Sequence, residues 1–228
     1  MHGGYARYSV DWVPTAGSAL AEFGYRWCGW CAERGSAAGQ AEVPGVFGRE
    51  VPGQMAMHGL HLPLSGPITL PTGRSIWALE QAVEEVAGRV PVLGGMRLEL
   101  GRVDRRVALC PVDGDHRAGQ LSVVVGTALS AFLGEASGTL AALPLTDAID
   151  DDLAGRVERA LAPRLSRILE HSFRITELAL MGDPGDGRPW RLLDRYPLAL
   201  SASNERGAPS GMGCSGPRLI APLDCTVP

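Results

Sequence analysis

Two short segments of this chain carry the same signal. His61-Leu62-Pro63-Leu64 and Ala142-Leu143-Pro144-Leu145 are both apolar runs with a Pro-Leu step. A continuous apolar run bounded by turn residues predicts a buried strand. After each comes a helical pattern and then a pair of strand patterns. A repeat array would recur every 20–50 residues; this is a single approximate duplication. The predicted fold is therefore α+β: two pseudo-symmetric lobes of small, mostly antiparallel sheets, helices packed outside, around a central cleft.

The rest of the chain fills in this plan. Tyr5–Val13 alternates as a strand, and Pro14 ends it. Ser18–Cys31 has Leu20, Phe23, Trp27 and Trp30 at helical spacing. Gly35–Gly53 predicts a long surface loop. Met55–Leu70 predicts one central strand, on which His58 and His61 point to opposite faces because side chains alternate. Ser75–Ala87 predicts a helix capped by Ser75, with Ile76, Leu79, Val83 and Val86 on its apolar face. Strands are expected at Met96–Gly101 and Arg106–Pro111, and a helix at Ala118–Leu133. A strand at Thr139–Thr146 precedes a helix at Asp150–Glu170, kinked or split by Pro163. Strands at Ser172–Met181 and Pro189–Leu198 close residues 1–200 as one bilobal domain. Residues 201–228, rich in Gly, Ser and Pro, predict a flexible tail.

Composition excludes several classes. All 21 basic residues are Arg, which rules out Schiff-base lysine chemistry and the P-loop lysine. A net charge of −4 leaves no basic footprint, so no nucleic-acid partner is expected. No stretch reaches the roughly 18 apolar residues of a membrane span, and the first residues do not have the pattern of a signal peptide. With 5 cysteines, an odd number, a reduced cytoplasmic setting is expected. Cys28 and Cys31 have CxxC spacing, but a zinc site needs a second ligand pair, and packed helix thiols are the expectation. Asp150–Asp152 suits a solvated helix N-terminus. Arg102, Arg105 and Arg106 fit a hairpin tip. No metal and no cofactor are expected.

His61 is the candidate catalytic residue, because an imidazole among Leu60, Leu62 and Pro63 titrates near working pH. His116 in its polar loop and His171 before a strand are not placed to assist it.

The order of several motifs resembles the phosphonate metabolism protein family, a branch of the two-histidine (2H) phosphoesterase superfamily. The motifs are the Arg7-Tyr8 strand, the Pro14–Gly17 turn, Trp27-Cys28-Gly29-Trp30 with Ala32-Glu33 and Gly35, and Gly59-Leu60-His61-Leu62-Pro63-Leu64. Thr146 with the helix after it, and Trp190-Arg191-Leu192-Leu193 through Arg195-Tyr196-Pro197-Leu198, complete the order. The resemblance covers most of residues 5–198. It implies a bilobal fold and the opening of cyclic phosphodiesters by two facing histidines, each with a hydroxyl two residues on. One histidine activates water, the other protonates the leaving oxygen, and the hydroxyls hold phosphate oxygens.

The signatures are degenerate. His61 is kept, its hydroxyl partner is Pro63, the second histidine aligns with Ala142, and its hydroxyl partner with Pro144. Phosphodiesterase activity is therefore expected to be weakened or lost. The alternative is a repurposed fold that binds an apolar or mixed small molecule in the cleft, as a binding protein or as an enzyme of another class using His61. Pro63, Ala142 and Pro144 are the candidate cleft lining, and Arg7, Arg191 and Arg195 the candidate anion contacts.

Overall fold

The computed structural model describes residues 4–37, 39, 55–133 and 141–200. The expected 201–228 tail, most of the 35–53 loop, and residues 139 and 140 of the second predicted core strand lie outside these. In chain order the elements are β1 (Arg7–Trp12), α1 (Ala19–Cys28), β2 (Trp30–Cys31), β3 (Ser36–Ala37), α2 (Met55–His58), β4 (Leu62–Pro63), α3 (Ile76–Arg89), β5 (Leu93–Met96), β6 (Leu98–Val103) and β7 (Arg106–Pro111). Then follow α4 (Arg117–Ala128), β8 (Leu143–Pro144), α5 (Asp151–Leu169), β9 (Phe173–Ile175), β10 (Glu177–Asp183) and β11 (Arg191–Pro197).

The architecture is the expected bilobal α+β arrangement. One lobe is built on a four-stranded sheet in the order β11-β10-β1-β4, the other on a three-stranded sheet in the order β6-β7-β8, and β5 pairs with β9. Every strand pairing named here is antiparallel. The two-residue hairpin between β6 and β7 turns through Asp104 and Arg105, both at positive φ, which matches the right-handed twist of the strands. Helix α5 presents Leu153, Val157, Leu161 and Leu165 every fourth residue, all buried in the core shared with α3 and α4. Burying each such side chain stabilises the fold by about 1.5–3 kcal/mol. Among the described residues no helix is long and apolar enough to cross a membrane.

The two short core strands are anchored identically. After β4, the Leu64 and Ser65 N–H groups both donate to Val10 C=O, and Val10 N–H donates to Ser65 Oγ at 2.8 Å. After β8, the Leu145 and Thr146 N–H groups both donate to Val107 C=O, and Val107 N–H donates to Thr146 Oγ1 at 3.0 Å. The helices tie these turns crosswise. Trp27 Nε1–H of α1 donates to Leu145 C=O at 2.7 Å, and Ser122 Oγ–H of α4 donates to Leu64 C=O at 3.2 Å.

Several expectations need correction. Met55–Leu70 is not one strand: residues 55–58 form a helical turn, Gly59 ends it at φ 78°, and only Leu62–Pro63 pairs in the sheet. Leu60 then folds back onto α1, where a Cβ on Gly24 would stand 2.5 Å from Leu60 Cβ. His58 therefore does not face away from His61. The Ser172–Met181 strand is two strands broken at Thr176, each pairing with a different sheet. Pro163 does not split α5; it is exposed, so water can solvate the carbonyl it leaves unbonded.

Candidate active site

Strand β1 has two faces. Tyr8, Val10 and Trp12 point into the main core, so Arg7, Ser9 and Asp11 lie on the opposite face. Register sets these three across from Asp183, Met181 and Ala179 of β10. A second, smaller cluster of Trp30, Ala32, Ala179, Met181 and Trp190 covers this face. Trp190 is fixed at both ends of its backbone: its N–H donates to Met57 C=O at 2.7 Å, and its C=O accepts from Trp30 Nε1–H at 2.8 Å. That pins the turn carrying His58 against β1.

Four flat groups stack in a column here. The Arg7 guanidinium lies 5.8 Å from the Trp190 ring centre, Trp190 lies 4.1 Å from His58, and His58 lies 3.9 Å from His61. Asp11, only 1% exposed, sits at the edge of the column. Its Oδ2 accepts from Ser9 Oγ–H at 2.8 Å and from His58 Nε2–H at 3.2 Å. Its Oδ1 is buried with no hydrogen-bond partner among the described residues. His61 Nδ1–H donates to Gly59 C=O at 2.8 Å, which leaves Nε2 as the ring's acceptor. Burial, with His58 beside it, lowers the His61 pKa to about 4. His61 is thus neutral at pH 7 and acts there as an acceptor, not as an acid. His58, with an 18% exposed side chain, is the open side of the group. A carboxylate that orients an imidazole is the arrangement of a general base.

Of the other predicted residues, Arg7 caps this column, and the rest stand apart from it or serve the scaffold. Pro63 lies opposite Asp11 on the edge strand β4. Ala142 and Pro144 are buried, Pro144 pairing with Ala108 on β8, and β8 lies against β4. Arg7 pairs with Asp183 (Nε to Oδ2, 2.9 Å) while covering Trp190. Arg195 is held by Glu177 and Glu33, and the Arg191 guanidinium rests against Gly35. Three surface concavities of about 610, 360 and 740 Å³ are lined mainly by other residues, Arg195 alone bordering the first. Cys28 is a buried helix thiol, pushed up to about 12 by burial, as expected; Cys31, also free, is only half-buried and lies on β2, past the end of α1. Sequence reasoning missed Asp11, His58 and Trp190. The polar alternation Arg7, Ser9, Asp11 was the available signal for the first.

No family model and no curated protein matches the chain. Among solved structures, one described as a phosphoesterase is similar at 16% identity and a TM-score of 0.48, covering 85% of this chain and 99% of that one. Escherichia coli LigT complexed with 3'-AMP is similar at 15% identity and 0.45, covering 85% and 98%. Kluyveromyces marxianus Usb1 is similar at 12% identity and 0.42, covering 86% and 99%. These neighbours are members of the 2H phosphoesterase superfamily.

Proposed function

We propose that this chain is a divergent 2H phosphoesterase-like protein, of phosphonate-metabolism ancestry, that has lost paired-histidine opening of cyclic phosphodiesters. Its polar centre serves a different small-molecule ligand or reaction through His61, His58 and Asp11. The observation that carries this reading is the face-to-face stack of His58 and His61.

Displacement at phosphorus places the attacking and leaving oxygens in line, so base and acid must stand on opposite sides of the phosphoryl group. Two rings with centres 3.9 Å apart leave no room for a phosphate between them. His61, with its pKa lowered to about 4, also lacks the proton that a general acid must supply at pH 7. Pro63, Ala142 and Pro144 offer no side-chain donor to a phosphate oxygen. Losing one such acid or base typically costs about 10²–10⁴ in rate.

The test is hydrolysis of a panel of cyclic nucleotides and cyclic ribose phosphates, in EDTA, by wild type, His61→Ala and His58→Ala. No turnover above background is expected from any of the three. Wild-type turnover that His61→Ala lowers at least about 100-fold would overturn the proposal.

A further inference from the structure

We infer that Asp11, His58 and His61 form a binding site for one divalent first-row transition-metal ion of the Zn²⁺ or Fe²⁺ type. Each of the three offers a ligand atom, and these atoms all lie within 4.8 Å of one another. The inference stands on these side chains alone and does not require that phosphodiesterase activity be lost.

The chemistry of the donor set selects the ion. Two imidazoles with one carboxylate suit zinc, iron or cobalt, whereas Mg²⁺ and Ca²⁺ prefer oxygen alone. Asp11 Oδ1 is the strongest pointer. It is an oxygen with no hydrogen-bond partner among the described residues, on a carboxylate that is 1% exposed and grouped with two imidazoles. A buried polar atom left unpaired is costly, and a cation satisfies it.

The surrounding bonds orient the ligands. His61 Nδ1–H is tied to Gly59 C=O, so its Nε2 lone pair is held ready, as ligating histidines usually are by a carbonyl behind them. Ser9 Oγ–H braces Asp11 in the same way. His58 ligates through Nε2 once its hydrogen has moved to Nδ1 by exchange with solvent, and Nε2 and Asp11 Oδ2 are already 3.2 Å apart, close to the roughly 3.3 Å between two ligands of one tetrahedral zinc ion. The imidazole planes lie 16° from parallel, so a common ion requires one ring to tilt out of the stack. Three protein ligands leave a position for water or substrate, and the partly exposed His58 marks where it opens.

Calorimetric titration of EDTA-treated full-length protein with Zn²⁺ tests the site. One equivalent should bind, and Asp11→Asn, His58→Gln and His61→Gln should each weaken binding at least about tenfold. Cys28→Ala and Cys31→Ala should not. X-ray absorption on the wild-type zinc complex needs no variant to fold, and should show two imidazoles, oxygen and no sulfur. Co²⁺ should give visible d–d bands without thiolate charge transfer. Failure to bind one equivalent, binding undiminished in all three folded variants, or a sulfur-containing shell would each overturn the assignment.

Discussion

In the first half of the molecule the chain runs His61-Leu62-Pro63-Leu64-Ser65, and in the second Ala142-Leu143-Pro144-Leu145-Thr146. The hydroxyl that ends each run accepts from a valine N–H on the neighbouring strand, Val10 in one case and Val107 in the other. Leu62 pairs with Trp12 and Pro63 with Asp11; Leu143 pairs with Leu109 and Pro144 with Ala108. His61 therefore corresponds to Ala142, and Asp11 to Ala108. The backbone geometry is the same twice, yet the first half carries a carboxylate and an imidazole where the second carries two methyl groups. The anchors belong to the scaffold and the polar pair does not: one half carries groups capable of chemistry, while the other is plain core.

The sharpest way to break this comparison is Ala142→His. Ala142 is buried, so a ring there overpacks the core and buries an unpaired polar group, for a loss on the order of 4 kcal/mol in denaturant unfolding. A loss below about 1 kcal/mol would mean that the second half still has room for a site.

Acid tests the first half. The folded chain protonates His61 only near pH 4, the unfolded chain near its ordinary 6.5. Between those values the unfolded state holds the extra proton, so stability rises with pH. The contribution is complete above about 6.5 and lost as pH falls to 4, amounting to about 3 kcal/mol. His61→Leu should flatten that part of the pH–stability curve of metal-free protein; an unchanged slope would mean His61 is not the group responsible.

The smallest effects should be shared. Thr146→Val and Ser65→Ala each leave a buried valine N–H unpaired, costing about 1–3 kcal/mol apiece. Matching losses in thermal unfolding would sharpen the equivalence of the two anchors, and a loss at only one would dissolve it.

Much of the scaffold was legible because its signals are local. Ser75 and Asp150 cap their helices through Ala78 N–H and Leu153 N–H, within three residues of themselves. The Pro-Leu steps marked both core strands. The site was half legible. His61 stood out as an imidazole in an apolar run, and Asp11 lay on a readable polar face of β1. Its partner His58 was misplaced because Gly59, at φ 78°, turns the chain where alternation along one strand was assumed. Trp190, which completes the column, is joined to Trp30 across 160 residues, and no local pattern encodes that meeting.

The long reach of β1 also sets when the protein is made whole. Arg7 pairs with Asp183, 176 residues later. At a ribosome's pace of about 5–20 residues per second, β1 waits roughly 10–35 seconds for β10. Meanwhile β4 is its available partner, and the face bearing Asp11 lacks the part of its cover that Ala179, Met181 and Trp190 supply. A nascent chain stopped before Trp190 would carry both histidines and the aspartate without the wall that holds them. Within the described fold the site is thus completed late, after β10 and Trp190 have been made.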